Sequence, residues 1–451
     1  MKRSRIALFL FGVIAALALL CALFPEEGIW GLRFPRLSEV LSAAEKKSGP
    51  SPEEIIRQRR QAVLDAERDQ YRSFFREDPA RFYLPDDDVR FFDPLFAALE
   101  QAERRPLRIV HYGDSQIEED RITGTIRERL QARFGGSGPG MMPAFRHNTA
   151  RIGGSSSVEL ERYFIYGDAS RRAGIRQYGP FADFVRLDTV TTLSYIPLRS
   201  RDKGQSRFER VTLVAGRLQG ALSVSAQGRE QGVEPGGSLS FVRFELPDSS
   251  VRASLTVSGL ADLYGVLLDS RTGVRMDNVP MRGCSGLIFT AMDADQLRQF
   301  YEEENVRLIL LQFGGNSVPS LNGDKSISAY AASVRKQIRH LQDLAPQAKI
   351  IFIGPSDMST TIAGKRQSFP RLSSIVDSLR ASANACGAAY WDIYGVMGGE
   401  DSMLQWVSAR PPLAGSDHIH FTLAGSQRVG EMFSDAFFLY YDYYLWRKEN
   451  E

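Results

Sequence analysis

The stretch Leu107-Arg108-Ile109-Val110-His111-Tyr112-Gly113-Asp114-Ser115 is an apolar run that stops in Gly-Asp-Ser. A buried strand with that ending delivers its chain to the C-terminal edge of a sheet, where open α/β folds place their chemistry. The residues after it, 117–134, read as a helix. Ser115 then presents its hydroxyl at the edge and its own N–H at the positive end of that helix. A serine acts as a nucleophile only with a base, an orienting carboxylate and oxyanion donors.

Working outward, apolar runs at 306–313, 349–353 and 388–393 alternate with helical patterns at 326–344, 371–386 and 423–446. Strands alternating with helices imply a parallel sheet covered on both faces. Between 155 and 282 the texture changes to short alternating runs, among them 208–214, 221–226, 238–246 and 253–257, punctuated by Gly, Pro, Asp and Ser. That pattern implies an antiparallel β-sandwich inserted into the α/β chain. The expected organisation is an apolar segment over 1–24, a helical stalk or cap over 25–105, the α/β domain in two parts over 106–154 and 283–451, and the insert over 155–282. The glycine-rich residues 135–140 lack the Lys-Ser/Thr of a phosphate loop and read as a loop lining the cleft.

The chain has 451 residues, long enough for more than one core. A net charge of +2 with 24% charged residues gives no polyanion signature, so no nucleic-acid partner is expected. Cys21, Cys284 and Cys386 are too few for a disulfide scaffold. Residues 6–24 form a continuous apolar run behind Lys2, Arg3 and Arg5. That is close to the length of a transmembrane helix, with the N-terminus inside by the positive-inside rule. An uncleaved signal anchor is favoured over a cleaved signal peptide or a lipoprotein, and each puts the rest of the chain outside the cytoplasm.

The base and carboxylate come from Asp417-His418-Ile419-His420. In an Asp-x-x-His turn the carboxylate meets its own histidine's Nδ1 and leaves Nε2 to accept the serine proton. The spacing selects Asp417 and His420, with His418 outside the pair. A metal site at these histidines is set aside, because no second motif has ligand spacing, and no cofactor is called for. Gly314-Gly315-Asn316 ends another apolar strand and offers the Asn316 amide to an oxyanion. The backbone of Gly283, in Met281-Arg282-Gly283-Cys284, is a further candidate donor.

Taken in order, Gly-Asp-Ser at 113–115, Gly283, Gly-x-Asn at 314–316 and Asp-x-x-His at 417–420 resemble the four blocks of the SGNH/GDSL hydrolase superfamily. The resemblance implies a flavodoxin-like three-layer α/β/α domain that hydrolyses esters, often acetyl esters on carbohydrates. With its inserted β region the chain resembles the peptidoglycan O-acetylesterases, which carry a carbohydrate-binding-like module. The expected activity is removal of O-acetyl groups from an acetylated cell-envelope polysaccharide. An O-acetyltransferase on the same fold and a non-catalytic glycan-binding protein are the alternatives.

Overall fold

A six-stranded sheet organises the α/β part of the chain. Its order is Phe82–Tyr83, Ala389–Trp391, Lys349–Ile353, Val306–Gln312, Leu107–Gly113, Val274–Pro280. The last five strands are parallel and Phe82–Tyr83 pairs antiparallel at the edge. Numbered along the chain, the parallel strands lie in the order 2-1-3-4-5 of a flavodoxin-like sheet. The sequence order reverses between Leu107–Gly113 and Val306–Gln312, and ligands bind in the crevice at such a switch point.

The strands read as continuous apolar runs because both faces are covered. Val110, Tyr112, Ile309, Leu311, Ile350 and Phe352 point into one core, with helices Ala294–Glu303, Asp324–Leu344 and Leu372–Asn384. Their neighbours Leu107, Ile109, Leu308, Leu310, Ile351 and Ile353 point into the other, with helices Asp93–Glu100, Thr123–Phe134 and Leu423–Asn450. Helix Asp324–Leu344 shows the periodicity behind this, burying Ile327, Tyr330, Ala331, Val334, Ile338 and Leu341 along one face. Each fully buried side chain of this size contributes about 1.5–3 kcal/mol.

Two antiparallel sheets occupy the crossover between helix Thr123–Phe134 and strand Val274–Pro280. One contains Leu222–Ala226, Ala253–Ser258, Val190–Pro197 and Ile152–Ser156; the other contains Ser240–Ser250, Phe208–Gly216, Ala261–Asp269 and Asp183–Leu187. Alternate residues of both, such as Val224, Leu255, Leu213 and Phe244, share one core. The opposite face of the second sheet, through Phe184, Val214, Tyr264 and Leu267, joins the core of helix Ala294–Glu303. Phe181 meets Phe300 edge to face at 5.3 Å. The antiparallel sheets and the α/β sheet are therefore continuously packed.

Several expected boundaries change. Strand Val274–Pro280 belongs to the parallel sheet, although it falls within 155–282, and antiparallel strands begin already at Gly140–Met142. Val274–Pro280 escapes an apolar-run reading because it buries Arg275 and Asp277. Asp277, with Asp269 and Glu304, surrounds the fully buried Arg108, at 2.6 Å from Asp277 and 3.0 Å from Glu304. Removing one member would leave buried charge uncompensated, a loss of about 3–5 kcal/mol. The residues around Phe82 and helix Asp93–Glu100 are part of the α/β domain, not of a stalk ending at 105. The glycine-rich loop packs onto the sheets, and its Pro139 lines a small cavity with Asp120, His147 and Asn278. A Cβ on Gly136 would lie 2.4 Å from the Val274 carbonyl, and one on Gly138 would lie 2.2 Å from that of Leu268. Both glycines have positive φ, and they let the loop press its backbone against two strands.

The computed structural model describes residues 2–25, 52–198 and 206–451, with isolated positions between 27 and 39, so much of the expected stalk lies outside the described residues. The chain divides into two units, Met1–Arg72 and Ser73–Glu451. The first contains helix Lys2–Leu23. Among the described residues no helix is long and apolar enough to cross a membrane. The expected span over 1–24 therefore stands on the sequence alone.

Candidate active site

Ser115 lies two residues beyond strand Leu107–Gly113. A Cβ on Gly113 would come within 2.9 Å of Ile117 Cδ1, so the glycine permits the tight turn. Ser115 does not open a long helix as expected. Residues Ser115–Asp120 form a short 3-10 segment, broken at Glu118 and Glu119, and the α-helix begins at Thr123. The cap is Asp114, whose Oδ1 accepts from the Gln116 N–H at 3.0 Å.

The structure brings three of the sequence candidates into one hydrogen-bonded chain. Ser115 Oγ lies 2.8 Å from His420 Nε2, and His420 Nδ1 lies 2.7 Å from Asp417 Oδ2. Asp417 Oδ1 also accepts from the N–H groups of Ile419 and His420 at 3.0 and 3.1 Å. Partial burial works to raise the Asp417 pKa. The hydrogen bonds from the His420 ring and these two N–H groups outweigh it and hold the carboxylate below its usual range. An ionised Asp417 places the ring proton on Nδ1, which leaves Nε2 to accept from Ser115. Ser115 is buried, whereas the His420 and Asp417 side chains are 40% and 49% exposed.

Asn316 follows strand Val306–Gln312 across the switch point. Its Nδ2 donates to Asp114 Oδ2 and to the Cys284 carbonyl, both at 3.2 Å. Ser115, Asn316 and His420 line one cavity of about 140 Å³, with Gln116, Pro355 and Met358. Gly283 does not line it. It sits at positive φ in the turn before Cys284, in open space. His418 is not in the hydrogen-bonded chain. Among the described residues no group of three or more His, Cys, Asp or Glu is placed to hold a metal ion.

Asp114, which caps the serine segment, also accepts from the Asn316 amide. Burial pushes its carboxyl up to about 6, against the opposing pull of the Gln116 N–H, His420 and Asn316. A carboxyl whose folded pKa lies above its unfolded value loses stabilisation as pH rises through that interval. Relative to Asp114→Asn, the wild-type chain should therefore lose on the order of a few kcal/mol between about pH 4 and pH 7. Denaturant melts of both chains across that range check this; a constant difference would contradict it.

A larger cavity of about 520 Å³ reaches the serine segment through Glu118 and Glu119. Phe145, His147, Arg162, Phe164 and Asp183 wall it from the antiparallel side. Arg162 lies 4.1 Å over the Phe145 ring and pairs with Asp183 at 2.6 Å.

Residues 250–428 match the GDSL-like lipase/acylhydrolase family. That segment includes Gly283, Asn316, Asp417 and His420 but not Ser115, which the antiparallel strands separate from it in sequence. No curated protein is similar in sequence to this chain. Among solved structures, one described as a peptidoglycan O-acetylesterase in action is 19% identical, with a TM-score of 0.63, covering 78% of this chain and 96% of its own. A family two carbohydrate esterase from Cellvibrio japonicus is 12% identical, with a TM-score of 0.24, covering 65% and 99%. The sheet order, the matched segment and the first of these structures agree: the chain has the SGNH/GDSL hydrolase fold and resembles the peptidoglycan O-acetylesterases.

Proposed function

We propose that this chain is an exported serine esterase that removes O-acetyl groups from a cell-envelope polysaccharide, with peptidoglycan as the favoured substrate. The observation that carries the reading is the hydrogen-bonded chain from Ser115 through His420 to Asp417 at the mouth of a cavity shared with Asn316. Ser115 Oγ attacks the acetyl carbonyl while His420 Nε2 takes its proton. His420 returns that proton to the sugar oxygen as the C–O bond breaks, leaving an acetyl-serine. Water then attacks, giving its proton to His420, and acetate leaves as Ser115 recovers its hydrogen. The Ser115 N–H and the Asn316 amide are the donors for the developing oxyanion; Gly283, which does not line this cavity, is not one of them. Asn316 serves in this way by releasing one of its two present acceptors.

Acetyl transfer would use the same residues and differ from hydrolysis only in the acceptor of the acetyl group. The test is acetate release from O-acetylated peptidoglycan, with and without added sugar acceptor. Acetate release unaffected by acceptor supports the esterase, and acetyl groups recovered on the acceptor would assign a transferase. Export follows from the apolar run at 6–24 behind Lys2, Arg3 and Arg5, which supports a membrane anchor with the remaining chain outside the cytoplasm.

The antiparallel sheets are read as the part that orients glycan, and the larger cavity is where polymer would lie. Phe164→Ala should then raise KM for acetylated polymer about tenfold, the loss of one aromatic stacking contact. Turnover of a small acetyl ester should stay within about twofold, because remote contacts act only on a substrate large enough to use them. Kinetics on both substrates check this. Equal losses on the two would show that Phe164 supports the fold instead.

A further inference from the structure

We propose that Gln116 is the positioning residue that sets His420 against Ser115, a role that rests on the reading of those two residues given above. The Gln116 Nε2 donates to the Ile419 carbonyl at 2.7 Å, and its Oε1 accepts from the Phe421 N–H at 3.2 Å. Ile419 and Phe421 flank His420. One planar carboxamide thus pairs with the backbone on both sides of the base, as a neighbouring strand would, and it does so from the residue next to the nucleophile.

The His420 turn has other ties. Gly415 N–H donates to the His420 carbonyl at 2.8 Å, and Ser359 N–H to that of His418 at 3.0 Å. These shape the turn or fasten it to strand Ser359–Ile362. Arg121, at the end of the serine segment, adds a 3.4 Å contact to the Phe421 carbonyl. Gln116 makes the shorter link, and its own N–H is fixed by Asp114 at 3.0 Å. Packing holds the imidazole weakly, since 40% of the side chain is exposed. Hydrogen bonds must then fix its angle to Ser115 Oγ.

The choice of glutamine follows from the pair it serves, one carbonyl and one N–H. A carboxamide supplies a donor and an acceptor on one rigid plane. A glutamate would set a second oxygen against the Ile419 carbonyl, and a leucine would fill the space with neither group.

The experiment compares the full chain with Gln116→Leu, Gln116→Glu and Ser115→Ala, using 4-nitrophenyl acetate and active-site titration with a fluorophosphonate. Both Gln116 variants should lose about 10- to 100-fold in kcat with KM within about twofold, the scale expected when a base is displaced by about an ångström. Titration should still reach one equivalent per chain, at a proportionally slower rate. A purely structural role would instead leave fewer titratable sites, each reacting at the wild-type rate. That pattern, or kcat within twofold of wild type in both variants, overturns the proposal. A Ser115→Ala chain as active as wild type would overturn the reading of the site itself, a result distinct from failure at Gln116 alone.

Discussion

Ser115→Ala is expected to lower acetyl-ester turnover by about four orders of magnitude or more while the chain stays folded. The loss is large because the hydroxyl is both the attacking atom and the partner of His420 Nε2 at 2.8 Å. What survives is the slower catalysis that an oxyanion site and binding provide without a nucleophile. The fold should tolerate the change for a specific reason. The 3-10 segment after strand Leu107–Gly113 is capped by Asp114 through the Gln116 N–H, not by Ser115. Ser115 is nearly buried, so alanine removes one polar atom and leaves its neighbours in place. The measurement is kcat/KM on a small acetyl ester beside the melting temperature of the same preparation. A near-normal rate with a normal melt would place the nucleophile elsewhere.

The sequence made the parallel sheet legible where physics leaves the strongest trace. Strands buried on both faces are mostly apolar, so Leu107–Gly113 and Val306–Gln312 stand out as runs even though the first also buries Arg108 and His111. Val274–Pro280 is equally buried but hides, because its Arg275 and Asp277 are matched by charges from residues far away in sequence. Strand order is invisible for the same reason: it depends on which crossover passes which face. Site residues on short spacings were readable. Asp417 and His420 meet within one turn, and that geometry is local. The contacts of Gln116 and of Asp114 with Asn316 join segments hundreds of residues apart, and no local pattern marks them. The 3-10 break at Glu118 and Glu119 was missed because helical composition continues straight through it.

His420→Ala should be about as damaging as Ser115→Ala, whereas His418→Ala should cost little activity. The two histidines are two residues apart and differ in what their rings reach. His420 bridges Ser115 and Asp417 through its two nitrogens, so its removal takes the base and leaves Asp417 without a ring to orient. Nucleophile and base act as a unit, and losing either is about as costly as losing both. His418 contributes through its backbone. Its N–H donates to the Gly415 carbonyl and its carbonyl accepts from Ser359, bonds that alanine keeps. Its φ of 60° lies in the left-handed region, a strain that histidine and alanine both carry, so the change should cost little stability and does not touch the reacting atoms. Parallel kcat/KM measurements, with melting temperatures, separate the two effects. Comparable loss of activity in both variants, accompanied by metal found in the wild-type chain by elemental analysis, would shift the reading from a serine–histidine pair to a metal centre built on this turn.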